Sequence, residues 1–407
     1  MTFENFYRDL SGKFVVIWRV ANGMLKVRED ASGGYPAVFS GDLRSVASTV
    51  SILQELETLE EDKDVTSIFN FPENRGFLPF GLTSRKGVHR LMPNFELDLE
   101  SFESRRFWPS AEFLGNRKSD EESFRPLIND AAEHVKSVVN AILSTGNTVM
   151  YLSGGHDSRM TIAACKGHEK KLFCETFGDK KTINAYLAQK VAELGGFNFR
   201  NVSVVTAPRE DVSAWLHRTG YAMYDPVSEL TTTISKEETP GAFQIGGTGA
   251  ELARATNWTD RDIGNPEIDV STLLKRIRVP NTKVIHDAAE DWLAGIPGSP
   301  DIATIMDLAK IEQIHGCWAG AATYGHNIPL PSLYPFSGQW WNEICLTLSP
   351  TERAKGRAYV EYMDIVWPEM RQLPVNKAIG LDRFKFWKEE AKAMIPSRLK
   401  RLIRPLR

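Results

Sequence analysis

One stretch constrains this chain more than any other. Between residues 148 and 206, short apolar runs alternate with helix patterns. "TVMYL" (148–152) is followed by a helix over "RMTIAACKG" (159–167), then "KKLFCETFG" (170–178), a helix over "NAYLAQKVAELGG" (184–196), and "FRNVSVVT" (199–206). Apolar runs this short, bounded by turn residues, suit strands buried on both faces. Strand, helix, strand, helix, strand predicts an α/β fold, a doubly wound parallel sheet.

The flanks set the organisation. Residues 119–147 form an amphipathic helix. Ile128, Ala131, Ala132, Val135, Val138, Val139 and Ile142 recur at three and four, the first turn is acidic, and Gly146-Asn147 stops it. The final third is rich in helix patterns and tryptophan, with a loop at 295–301. Ahead of 115 the texture is β-rich. "KFVVIWRV" (13–20) reads as a strand, 28–36 as a turn, 42–56 as a short helix behind Asp42, and 87–109 as strand and turn. The expected division is a small β-rich domain over 1–115 and an α/β domain with a helical C-terminal extension over 116–407.

Composition narrows the function classes. The 407 residues carry a net charge of −3, which argues against a general nucleic-acid binder. No apolar run is long enough to span a bilayer, so no stable membrane insertion is expected. The start lacks the pattern of a secretory signal. Cys165, Cys174, Cys317 and Cys345 have no C-x-x-C spacing, so neither a disulfide framework nor a zinc cluster is indicated. The expectation is a cytoplasmic, reduced protein.

The chemistry concentrates in "SGGHDSR" (153–159). Ligands of open α/β sheets bind beyond the carboxyl ends of the strands. Gly154 and Gly155 allow close backbone approach to an anion, the following helix N-terminus adds a favourable field, and Ser153 and Ser158 offer hydroxyls. Together these suit a phosphate or pyrophosphate. Asp157 would repel it unless a cation intervenes, which points to Mg²⁺. Neither the Walker spacing nor G-x-G-x-x-G is present. The plain alternative is a turn with a helix cap.

"VMYLSGGHDSR" resembles the pyrophosphate loop of the asparagine synthetase family, within the N-type ATP pyrophosphatases. Further segments carry the likeness: "TFGDKKTINAYLAQKVAELGG", "GGTGAELARATNW" (246–258), "PSLYPFSGQWWNEICLTLSP" (331–350) and "LPVNKAIG" (373–380). "GVHRLMPNFELDLESFESRRFW" is similar to the segment closing that family's glutamine-amidohydrolase (Ntn) domain. There the nucleophile is an N-terminal cysteine. Here residue 2 is threonine and no cysteine precedes Cys165, so the resemblance implies a degenerate domain without glutaminase activity.

The resemblance implies ATP and Mg²⁺ as cofactors. It assigns Leu152, Ser153, Gly154, Gly155, Asp157, Ser158, Thr176, Phe177, Gly247, Thr248 and Gly249 to nucleotide binding. Asp157 and Glu251 would take the metal, although the second motif has one acid fewer than the family pattern. Glu251 could instead act as a base near the acceptor. Lys377 is expected to stabilise transition-state charge, with Lys355 and Arg357 behind it; an exposed structural lysine is the alternative. Arg159 contacts a phosphate or the second substrate, or else makes an ion pair on the helix face. Arg254 could orient a carboxylate. Tyr334, Trp340 and Trp341 line an acceptor pocket or are core. His156, His315 and His326 are given no chemistry. The basic tail 398–407 is a surface contact or a solvated end.

The implied reaction is AMP-forming amide synthesis from a small-molecule carboxylate and an amine or ammonia. A separate protein could donate ammonia or a peptide. By analogy the setting is specialised-metabolite or glycan amidation. A non-catalytic nucleotide-binding protein and an adenylating RNA-base modification enzyme stand as alternatives. Oligomeric state is left open.

Overall fold

Five short strands form a wholly parallel sheet at the centre of the computed structural model, which describes residues 2–117, 121–204, 207–224, 243–326, 331–382, 384 and 386. They are β1 (Thr148–Tyr151), β2 (Leu172–Phe177), β3 (Asn198–Val202), β4 (Phe243–Ile245) and β5 (Ser332–Leu333), in the spatial order β3-β2-β1-β4-β5. The chain builds outward from β1 to β3, then returns to lay β4 on the other side of β1. That reversal makes the gap between β1 and β4 the topological switch point, where open α/β sheets bind ligands.

Helix α1 (Glu121–Ser144) precedes β1 and meets the core with the face its periodicity indicates. Ile128, Ala131, Ala132, Val135, Val139 and Ile142 are buried, and Val138 is partly so. Each buried valine or isoleucine side chain stabilises the fold by about 1.5–3 kcal/mol. Helix α2 (His156–Ala164) follows β1, and helix α3 (Ile183–Gly195) follows β2. Thr182 caps α3 through a 3.2 Å bond from the Ala185 N–H, and Gly196 ends it at φ +71°.

The N-terminal part holds two antiparallel sheets. One orders Val15–Arg19, Leu25–Glu29, Phe95–Asp98 and Ser104–Arg106; the other sets Val38–Ser40 between Ser45–Ala47 and His89–Arg90. Val27, Ala37, Phe39, Leu91 and Leu97 form a small core of their own. The expected helix over 42–56 is corrected. Ser45–Ala47 pairs with Val38–Ser40, and only Val50–Gln54 is helical, with Thr49 rather than Asp42 at its start. Residues 28 and 29, read as turn, end a strand.

The two parts share their main core. Val65, Phe77, Leu78, Phe80 and Trp108 belong to the cluster that also holds the central sheet. A continuous helical run links them further: an α-helix over Ile302–Ala309, a π-helix over Lys310–Gly320 and an α-helix over Ala321–His326. From the π-helix, fully buried Glu312 receives bonds from Asn94 (2.8 Å), Arg106 and Trp292 (2.6 Å), and Gln313 accepts the Phe80 N–H at 2.6 Å. Among the described residues no helix is long and apolar enough to cross a membrane.

Candidate functional site

The loop after β1 and the segment after β4 meet at the switch point. Their closeness is enforced by glycine. A Cβ on Gly247 would lie 2.7 Å from the Asp157 carbonyl carbon and 2.8 Å from the Ser158 nitrogen. One on Gly154 would lie 2.8 Å from Leu187 of α3. Gly249 adopts φ +93°, and a Cβ there would meet the Phe336 carbonyl oxygen at 2.2 Å. A side chain at Gly247 would wedge the two segments apart, one at Gly154 would push the loop off α3, and one at Gly249 would push the second segment off Phe336.

The 153–158 loop is tied to itself. The Ser153 N–H donates to Ser158 Oγ (3.1 Å), the two serine hydroxyls lie 2.8 Å apart, and the Gly155 N–H donates to Ser153 Oγ (3.2 Å). The Gly154 N–H donates to Asn184 Oδ1 of α3 at 2.8 Å. No side chain caps α2, whose first-turn amides therefore face the loop mouth as orphan donors. Behind the loop, the Leu152 N–H bonds the Glu175 carbonyl (2.8 Å) and the Leu152 carbonyl accepts from buried Thr176 Oγ1. The Phe177 ring meets Tyr151 edge-on, 4.7 Å between centroids.

Charge is arranged in cation–carboxylate pairs. Arg254 Nη2 contacts both Asp157 oxygens, at 2.9 and 3.1 Å. Burial and the nearby Glu251 push the Asp157 carboxyl above its ordinary range, against the pull of Arg254 and Lys310. Glu251 accepts from Lys310 Nζ (3.1 Å), lies 2.9 Å from His315 Nε2, and takes the Gly249 N–H at 2.8 Å. Burial alone would raise its pKa, but His315 and Lys310 hold it well below the usual carboxylate range. Lys310 and His315 are five apart on the π-helix. In an α-helix of about 3.6 residues per turn such positions fall on different faces, whereas i→i+5 winding stacks them.

A divalent cation between Asp157 and Glu251 would need hard oxygen ligands. Both carboxylates already face protein cations, Asp157 through Arg254 and Glu251 through Lys310 and His315. The expected Mg²⁺ pair fits this arrangement only by displacing those cations.

Other expected residues fall as follows. Arg159 does not face a ligand: it is fully buried and donates to the carbonyls of Leu373 and Pro374, both at 2.6 Å. It anchors the segment that carries Lys377. Downstream of Lys377, Tyr186 of α3 donates to Asp382 Oδ2 at 2.8 Å. Residues 373–382 thus form a strap fixed to the first turns of the two helices flanking the loop, with Lys377 exposed on it. Lys355 bonds Glu352 (2.6 Å) and Arg357 bonds Glu361 (2.6 Å), so neither backup is aimed at the loop.

Thr248 hydrogen-bonds buried Tyr334, whose ring packs against Gly246. Trp341 donates to the Gly249 carbonyl at 2.8 Å. These two aromatics are the floor of the second segment. Trp340 instead lines a separate cavity of about 580 Å³ with Arg8, His134 and Glu343, which includes none of the loop residues. His156 packs edge-on against Tyr359 at 4.6 Å and is held down to about 4, by burial and then by Arg254 and Arg159. Thr2 caps a short N-terminal helix, Phe3–Asp9, by accepting the Asn5 N–H. The His326 side chain and the tail 398–407 lie outside the described residues.

Sequence reasoning missed Lys310, and it passed over His315 as structural. The 3.6-residue period gives no hint that positions 310 and 315 share a face. Lys13, from the N-terminal part, was also missed. Its ammonium lies 5.6 Å from the centre of the Tyr334 ring, and burial pushes it down to about 7. Compared with known proteins, the chain matches no family model and no curated relative.

Proposed function

We propose that this chain is an ATP-dependent ligase that forms an amide through an acyl-adenylate. The observation that carries the reading is the S-G-G-H-D-S loop at the carboxyl end of the central strand, closed against a glycine segment at the switch point. A carboxylate oxygen of a small acid attacks the α-phosphorus of ATP. The bond from that phosphorus to the bridging oxygen breaks, and pyrophosphate leaves into loop 153–158. An amine or ammonia then attacks the acyl carbon, the acyl C–O bond breaks with its electron pair leaving on AMP, and the nitrogen's surplus proton passes to solvent. The α2 amides, Ser153 and Ser158 offer the pyrophosphate donors. Lys377, on its strap, would meet the charge developing at the acyl centre. Holding acid, nucleotide and amine on one rigid sheet edge lowers the entropic barrier.

Ammonia would come from solution or from a separate donor protein, since the N-terminal part lacks the cysteine of a glutaminase. A second reading, nucleotide binding without turnover, is favoured by the carboxylates' engagement with Arg254 and Lys310. The test is product analysis with ATP, pooled carboxylic acids and ammonia or amines. AMP and pyrophosphate in equal amounts, dependent on both acid and amine, support the ligase. ADP and phosphate would refute the adenylate, and binding without turnover would leave the second reading.

A further inference from the structure

We infer that Arg254 and Lys310 take the place of a divalent cation at this site, so that loop 153–158 receives the diphosphate end of its nucleotide without a metal. The inference rests on the nucleotide reading above and goes beyond it. The 2.9–3.1 Å contacts of Arg254 with Asp157 use one nitrogen of the guanidinium. Its Nε is buried and has no hydrogen-bond partner among the described residues. Among the described residues no bond is made by Nη1, which leaves that end of the fork for phosphate oxygens, while buried Nε is not reached from the loop mouth. Lys310 spends one of its three donors on Glu251, and no other acceptor takes it among the described residues. Both side chains stay partly open, at 30% and 15% exposure.

The carboxylates then have a different task from metal ligation. Asp157 holds Arg254 in position, and Glu251, locked by His315 and the Gly249 N–H, holds Lys310. The π-helix brings Lys310 and His315 to the same Glu251 oxygen. Arg159, buried nearby on α2, adds a third positive charge behind the loop. A divalent ion entering between the carboxylates would have to displace both cations from them. A phosphate anion instead meets the two cations, with Asp157 as its nearest competitor.

That competition gives a test with opposite outcomes. The full chain is titrated calorimetrically with pyrophosphate and with ATP, in EDTA and in excess MgCl₂, as wild type, Asp157→Asn, Arg254→Gln and Lys310→Met. Wild type should bind in EDTA with an affinity within about threefold of that in MgCl₂. Asp157→Asn, freeing Arg254, should bind pyrophosphate in EDTA about tenfold tighter, and Arg254→Gln and Lys310→Met about tenfold weaker. Binding that appears only with Mg²⁺ and is lost in Asp157→Asn would overturn the inference and leave the nucleotide site standing. No binding of either ligand in either buffer would overturn both.

Discussion

Gly247→Ala perturbs the packing of loop against segment without adding backbone strain. Gly247 has no positive φ, so alanine meets no backbone strain there. Its methyl would sit 2.7 Å from the Asp157 carbonyl carbon, 2.8 Å from that oxygen and 2.8 Å from the Ser158 nitrogen. Carbon contacts are comfortable at about 3.5–4.0 Å, so relief needs a shift approaching an ångström. The neighbours are backbone atoms in the first turn of α2 and cannot rotate away. Overpacking of this kind costs about 1–3 kcal/mol. At about 2.1 cal/mol/K of unfolding entropy per residue, a 407-residue chain loses about 1.2 °C of Tm per kcal/mol, so the expected fall is about 1–4 °C. The same shift pulls the second segment off the loop, so affinity for a non-hydrolysable ATP analogue should fall about tenfold or more. Gly295→Ala is the control. Its nearest neighbour would be 3.5 Å away, and stability should change by no more than about 0.5 kcal/mol. Thermal unfolding and calorimetric titration measure both. If Gly247→Ala melts and binds like wild type, the two segments do not meet as described.

Three further outcomes follow from other parts of the site and its surroundings. Arg159→Met leaves the Leu373 and Pro374 carbonyls without their charged donor, and should cost about 2–4 kcal/mol with earlier proteolytic cleavage within 373–382; unchanged cleavage would deny the strap. Glu343 is raised to about 7, chiefly by burial, with Arg8 pulling the other way. A carboxyl raised in the folded state lets the unfolded chain ionise first, so stability should decline by roughly 2–3 kcal/mol from about pH 4.5 to 7 and level above. Glu343→Gln should remove that decline in urea melts taken across this pH range. Asn184→Ala removes the acceptor of the Gly154 N–H and should cost about 1 kcal/mol, read as a shift in urea midpoint, with weaker nucleotide binding.

Much of the sheet was legible because its strands are short, apolar and separated by well-punctuated helices. β1 to β3, α1 and α3 fall within a few residues of the pattern. The order in which β4 and β5 join was not, since three- and two-residue strands carry no period of their own. The Val50–Gln54 helix was overextended because Ser45–Ala47 reads as helix by composition, yet its partner Val38–Ser40 claims its backbone bonds. At the site, the loop was readable from its residues and the second glycine segment through the family resemblance, but their charge pairing was not. Arg254 reaches Asp157 across 97 positions, and Lys310 reaches Glu251 from a π-helix whose winding defeats a 3.6-residue search. Arg159, one residue past the loop, looked like a ligand contact. Only the fold shows its guanidinium turned to main-chain carbonyls.

The proposed site places a nucleotide's phosphates at the mouth where loop 153–158 and segment 246–251 meet, beside the 373–382 strap. Hydrogen exchange of the full chain, with and without a non-hydrolysable ATP analogue, tests it most directly. Protection is expected in peptides covering 152–160, 246–251 and 373–380. Protection confined to the cavity lined by Arg8, His134 and Glu343, or none at saturating analogue, would contradict it.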